Sequence, residues 1–147
     1  INSALTVKNS WAGYYEVAIF LGNTGNWKLS WEYYKKAIEK NPKFKPSYTI
    51  AFVNAAIKSG NIPKAENIIE NYIKLTPDSA YGYLFAGYFY NEIKDIEKAK
   101  KYFALGISKN PDAGFSLPLY EYALEFFNHL KMNNEEQITK GILESLE

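Results

Sequence analysis

The sequence predicts an all-α fold in which antiparallel helix pairs stack along the chain as a solenoid. A spaced pattern of large and small residues begins at Tyr83, and the same steps recur from Tyr14 and from Thr49. Each copy ends in a proline, and the three prolines lie 35 and 34 residues apart. A repeat of this period is typical of helix–turn–helix units that bury a continuous core only by stacking. The most regular copy comprises Tyr83, Ala86, Gly87, Tyr90, Ala99, Phe103 and Pro111.

The first helix pair is predicted at residues 11–23 and 27–40. Ser10 precedes the first helix and is a suitable N-cap, because a serine hydroxyl can accept a bond from a free backbone N–H. The GNTG stretch between the helices breaks the helical pattern. Pro42 ends the second helix, since proline cannot continue the hydrogen-bond ladder.

Two further pairs follow with the same punctuation. Gly60 lies in the turn of the second pair, and Pro77 closes that pair. Asp78 or Ser79 can cap the third pair, which Pro111 closes. The predicted helices of these two pairs span residues 46–59, 62–75, 80–93 and 96–109.

The C-terminal part of the chain predicts a fourth, less regular pair. Pro118 suits the first turn of a helix, and residues 119–130 are apolar nearly all round, as in a helix buried on several sides. The last helix is amphipathic, with Ile138 and Ile142 on one stripe and Glu136 on the other face. Such a helix is what a terminal repeat needs, because no neighbour covers its outer side.

The repeats predict one solenoid domain. The first ten residues are either the end of a preceding repeat or a disordered start. The predicted divisions are 1–10 for this remnant, 11–44, 45–78 and 79–112 for the three repeats, and 113–147 for the last pair and cap.

Composition excludes several kinds of site. The chain has no cysteine, which excludes disulfides, thiolate metal sites and cysteine nucleophiles. All 17 basic residues are lysine and the net charge is +1, so we expect no nucleic-acid partner. No apolar run approaches the ~18 residues of a membrane span, and no signal-peptide pattern is visible. Cytoplasm and periplasm are both compatible, so the localisation stays unknown.

Few residues indicate catalysis. His129 is the only histidine, and metal sites usually need several ligands. Glu121 and Glu125 lie one helical turn apart and could do acid–base work, although glutamates on helices are usually solvated. No phosphate-binding loop, dinucleotide-binding motif or nucleophile elbow is present. We therefore expect no cofactor, metal or catalytic residue.

The repeats resemble the tetratricopeptide repeat (TPR) family. The third repeat carries the resemblance best, with Gly87, Tyr90, Ala99, Phe103 and Pro111 all of the family's residue types. The resemblance implies a right-handed superhelix whose first helices line a concave groove. TPR domains typically bind peptides, extended segments or helices of partner proteins, and few are enzymes.

The resemblance also implies which residues line the groove. One TPR subgroup grips the C-terminal carboxylate of its ligand with a lysine–asparagine–arginine clamp, and the matching positions here hold other residues, so that activity is not transferred. The less regular fourth pair offers Leu124 and Asn128. The predicted partner-binding residues are Tyr15, Ile19, Ile50, Asn54, Tyr81, Leu84, Tyr88 and Asn91.

These residues predict a non-enzymatic protein–protein interaction module that binds an apolar peptide segment or helix in its groove. Tyrosine supplies rigid contact area with a polar tip, and asparagine can pair with backbone amides of a partner. One alternative is a self-assembling scaffold, a homo-oligomer formed through the groove or the end helices. A second alternative is a helical hydrolase that uses groove carboxylates.

Overall fold

The computed structural model describes residues 10–43, 45, 50–111 and 116–146. Within these residues the chain forms eight α-helices and no β-strand, so the predicted all-α fold class is confirmed. The prediction for the first ten residues concerns, apart from Ser10, residues outside this description. The helices are α1 (Trp11–Asn23), α2 (Trp27–Lys40), α3 (Ile50–Lys58), α4 (Ile62–Leu75), α5 (Ala80–Glu92), α6 (Ile96–Ile107), α7 (Leu117–His129) and α8 (Asn133–Ser145).

The chain divides into two compact units, Ile1–Tyr72 and Ile73–Glu147. We call them the first and second units and describe each by itself. In the first unit α1 packs against α2 and α3. In the second unit α5 packs against α6 and α7, and α8 packs against α6 and α7. Within each unit, first helices therefore contact first helices of the next pair.

Polar side chains begin several helices where the sequence predicts them. The Ser10 hydroxyl accepts a bond from the Gly13 amide at 3.0 Å, and Ser79 accepts one from Tyr81 at 3.4 Å. Asp95, which the sequence analysis did not name, accepts one from Lys98 at 3.2 Å and so caps α6. Pro118 lies in the first turn of α7, where the missing amide costs no helical hydrogen bond.

The same backbone turn joins the two helices of every pair. One residue adopts a left-handed conformation, and the next residue's N–H donates to the carbonyl five residues earlier, as from Asp95 to Tyr90 at 2.9 Å. This is a Schellman-type helix ending, in which glycine is favoured because it has no Cβ. The first two turns have glycine and the last two have lysine: the residues are Gly25, Gly60, Lys94 and Lys131, with φ of 82°, 75°, 67° and 58°.

Aromatic rings fill the core of the first unit. Trp31 and Tyr34 on α2 are fully buried, and both rings contact Phe52 of α3, with centroids 5.3 and 5.8 Å apart. The Ser30 hydroxyl donates to the Ala18 carbonyl at 2.7 Å, so the small residues hold α2 against α1. The two helix pairs thus share one apolar core.

In the second unit, two glycines let α5 and α6 approach closely. A Cβ added at Gly87 would lie 2.6 Å from Cδ1 of Phe103, and one added at Gly106 would lie 2.6 Å from Cδ2 of Leu84. Each large side chain therefore occupies the space that the facing glycine leaves. The Phe103 ring also lies 4.9 Å from Phe126 of α7, which joins the third pair to the fourth.

We predict that Gly87→Ala destabilises the protein by about 1–3 kcal/mol, because the new methyl group would overlap the Phe103 ring. The gain in helix propensity, about 1 kcal/mol, is too small to hide this. Gly141→Ala is the matched control, since no atom lies within 4 Å of its added Cβ, and it should leave stability equal or slightly higher. Urea unfolding of both variants checks this; equal effects would show that the assigned contact is wrong.

We predict that Lys94→Gly stabilises the protein by about 0.5–1 kcal/mol, because glycine removes the cost of a left-handed conformation at a residue with a Cβ. Gly60→Ala, at the equivalent place in another turn, should have the opposite effect. Thermal unfolding measures both changes. A lower midpoint for Lys94→Gly would contradict the strain assigned to this turn.

Candidate functional site

The predicted groove residues of the first unit lie on α1 and α3. Tyr15 is half-buried and its ring stands edge-on against Tyr34, with centroids 6.0 Å apart. Ile19 and Asn54 are also half-buried. Ile50 is 40% exposed at the start of α3. All four are therefore at least partly accessible on first helices.

Three of the predicted residues of the second unit, Tyr81, Leu84 and Tyr88, are buried in its core. Leu84 is fully buried and lies against Gly106, so it faces the paired helix. Tyr81 is buried with its ring stacked on Phe85, with centroids 6.1 Å apart. These side chains offer no open surface to a partner in this structure.

An open cleft lies between α5 and α7 of the second unit. Its volume is about 480 Å³, and we call it the α5–α7 cleft. A shallower depression of about 250 Å³ continues along α7 past Pro118 and Glu121 and shares Tyr122 and Glu125 with it. The structure places two of the residues expected in the groove, Asn91 and Asn128, in the cleft. The cleft is lined by Asn91, Tyr122, Glu125, Phe126, Asn128 and His129.

Tyr88 packs against Tyr122, which lines the cleft. Its ring is buried and lies 4.7 Å from the ring of Tyr122, and its hydroxyl donates to a carboxylate oxygen of Glu92 at 3.2 Å. Burial, with the nearby Glu92 charge, raises the pKa of the Tyr88 phenol well above its usual value. The hydroxyl therefore stays protonated at neutral pH and remains a donor to Glu92. Tyr122, in contrast, is 37% exposed and is accessible to a ligand.

Asn128 connects the cleft to the last helix. Its side-chain amide donates to Glu136 at 3.0 Å, and Lys140 lies 3.3 Å from the same carboxylate oxygen. These contacts hold the pKa of Glu136 below its usual value, the Asn128 bond being the larger cause. One face of the Asn128 amide is thus already used inside the protein.

The same contacts correct the expected orientation of α8. Glu136 is largely buried and Thr139 fully so, whereas Ile138 is 44% exposed. The expectation that Glu136 faces outward was wrong. Its carboxylate lies at the interface with α7, where the Asn128 amide and Lys140 bind it. The Thr139 hydroxyl donates to the Glu135 carbonyl at 2.7 Å, which makes its burial inexpensive.

Two depressions of the first unit lie on second helices. They overlap, have volumes of about 270 and 260 Å³, and lie between α2 and α4. Both are lined by Ile38, Glu39, Asn67 and Ile68. They are shallow and smaller than the α5–α7 cleft, and none of the predicted groove residues lines them.

Sequence reasoning named Asn91 and Tyr88 but left Tyr122 out of the site. The missed signal is the spacing of Glu121, Tyr122, Glu125 and His129 on α7, since residues three and four apart share a helix face. The fourth pair does not follow the spacing of the other repeats, so its residues could not be matched to groove positions.

The described residues limit the chemistry that the site can do. Among them, no three His, Asp or Glu side chains are grouped so that they could hold a metal ion. His129 and Glu125 both line the α5–α7 cleft. In the same part of the chain, every helix is too short or too polar to cross a membrane.

Comparison with known proteins identifies the fold. Two solved structures are similar to this chain: MamA, residues 41 to the end, from Desulfovibrio magneticus RS-1, with TM-score 0.55, and the APC/C hetero-tetramer Cut9–Hcn1, with TM-score 0.50. Sequence identity is 13% and 14%, and each match covers 94% of this chain. The first match covers 76% of the MamA chain, and the second covers 35% of the chain in the Cut9–Hcn1 structure.

Both similar structures contain TPR repeats, so the chain has the fold class of TPR-like helical solenoids, as the sequence predicts. At this identity the likeness concerns the fold alone. No protein-family model matches the sequence, and no curated protein sequence matches it.

We predict that Glu136→Gln destabilises the protein at neutral pH and has little effect in acid. The folded pKa lies below the unfolded value of about 4.5, so the carboxylate's contribution is present above that pH and is lost as the pH falls through the folded pKa. The measurement is the thermal midpoint of wild type and variant between pH 3 and 7. The exposed Glu144→Gln is the control, and a pH-independent difference for Glu136→Gln would contradict the assigned bonds.

Proposed function

We propose that this chain is a TPR-type protein-interaction module without catalytic activity, which binds an apolar segment or helix of a partner protein along its first helices. The observation that carries the proposal is the α5–α7 cleft, where the accessible ring of Tyr122 lies beside Phe126. Tyr15, Ile19, Ile50 and Asn54 remain proposed contacts in the first unit.

The character of the cleft supports protein binding. Interaction hot spots combine an aromatic anchor with a surrounding polar rim that excludes water. Here Tyr122 supplies the anchor, and Asn91 and Asn128 supply amides at the rim. The part-buried bond from Tyr88 to Glu92 fixes the Tyr88 ring that contacts Tyr122, so little side-chain freedom is lost on binding.

Helix geometry favours a helix or extended segment as the ligand. The α5–α7 cleft and the adjoining depression follow α7 from Pro118 to His129. An elongated surface of this kind suits an amphipathic helix that docks its apolar face in a groove. A TPR-like fold adds to this support, since such repeats build extended binding surfaces.

Self-assembly is the second candidate, and Phe20 favours it. This side chain is 66% exposed on α1 of the first unit, and a second copy of the chain could cover it. Light scattering over a range of concentrations separates the candidates, because only a self-assembling chain gains mass as its concentration rises.

We predict that Tyr122→Ala weakens partner binding about tenfold or more, because truncating an aromatic anchor can cost about 2 kcal/mol. Tyr122 is a better test than Tyr88, whose buried ring would leave a destabilising cavity. The measurement is the dissociation constant of a partner that is first captured on the wild-type chain and then purified.

Tyr102→Ala is the matched control, since Tyr102 is a half-buried tyrosine on the second helix α6 of the same unit. It should change the affinity by less than about twofold. Circular dichroism must show that both variants fold. If Tyr102→Ala abolishes binding while Tyr122→Ala leaves it intact, the proposed surface is wrong.

A further inference from the structure

Charge is divided between the helices of the second unit. The first helices α5 and α7 carry three carboxylates, Glu92, Glu121 and Glu125, and no lysine. The lysines of residues 73–147 lie on the other helices or on connecting turns: Lys74, Lys94, Lys98, Lys100, Lys101, Lys109, Lys131 and Lys140. The cleft side of this unit is therefore acidic.

The two carboxylates of α7 form no ion pair with the residues that the structure describes. Among the described residues, the ion pairs of this unit join Lys100 to Glu97 and Lys140 to Glu136, both on second helices. Glu121 and Glu125 have no ion pair there and are exposed beside Tyr122. Their charges are available to a ligand.

Three other tyrosine rings of this unit, Tyr83, Tyr90 and Tyr102, have a lysine over them. Lys98 lies 5.1 Å from the ring centre of Tyr90, and Lys109 lies 5.1 Å from that of Tyr83. Such contacts are attractive because the ring face is negative. Tyr122, in contrast, is an exposed ring that lies beside two carboxylates and, in the described part of the unit, has no lysine over it.

We infer that the partner segment bound at the α5–α7 cleft is cationic as well as apolar: an amphipathic helix that places a lysine or arginine over Tyr122, between Glu121 and Glu125, and its apolar side chains along the rest of the cleft. Charge complementarity supports this inference, which rests on the proposed function. The cation contacts the ring by cation–π attraction and the carboxylates by charge-assisted hydrogen bonds.

The test uses the whole chain and three synthetic amphipathic helices of about 15 residues. They share one leucine stripe and differ only at the flanking positions, which hold lysine, glutamine or glutamate. Isothermal titration measures the affinity of each. We expect the lysine peptide to bind about tenfold tighter than the glutamine peptide, and the glutamate peptide to bind most weakly.

Substitutions in the protein locate the effect. Glu121→Gln with Glu125→Gln should remove the preference for the lysine peptide and leave the glutamine peptide unaffected. Glu135→Gln with Glu144→Gln on α8 makes the same change in net charge away from the cleft, and it should keep most of the preference. Loss of the preference in both double variants would mean that net charge, not this site, selects the ligand, and would overturn the inference.

The remaining outcomes separate the two proposals. If lysine and glutamine peptides bind equally and Tyr122→Ala weakens both, the cationic inference is wrong and the proposed function stands. If none of the peptides binds, the cleft is not a docking site and the proposed function fails with the inference. If the chain alone forms dimers that the Glu121→Gln, Glu125→Gln variant lacks, the occupant is a second copy and the inference is wrong.

Discussion

At Gly87, α5 comes so close to α6 that the ring of Phe103 occupies the place of a side chain. Phe103 can then pack its other side against Phe126 of α7. The position of α7 in turn sets Tyr122 beside Tyr88 and opens the cleft next to them. A missing methyl group in one helix pair thus determines where the next pair places Tyr122 and the cleft.

The regular parts of the fold could be predicted from the sequence, because they depend on local signals. Proline at the ends of pairs, serine at helix starts and small residues at close contacts predicted most helix ends to within about two residues. The predicted start of α3 at residues 46–49 lies outside the described residues. Lys94 and Lys131 show the limit of such signals. Their turns adopt the backbone of Gly25 and Gly60, yet lysine carries no turn signal, since the closing hydrogen bonds and the packing of both helices impose the conformation.

The site was harder to predict than the fold for a physical reason. A repeat pattern tells which residues face the next helix, but it does not tell which of them are covered. Leu84 was expected at an open surface and is buried because Gly106 leaves room for it. Glu136 was expected in solvent and is held at an interface by Asn128. In both cases the residue that determines burial lies on another helix, and the spacing of residues along one helix does not predict that contact.

The repeated turn also affects how the helix pairs unfold locally. Each closing bond, such as that from the Met132 amide to the Phe127 carbonyl at 2.9 Å, lies wholly within one helix pair. Contacts of short sequence separation form quickly, and in repeat proteins neighbouring units can unfold one at a time. The amides of Asn26, Asn61, Asp95 and Met132 therefore act as four separate reporters of hydrogen exchange. Their rates would rank the local stability of the pairs along the chain.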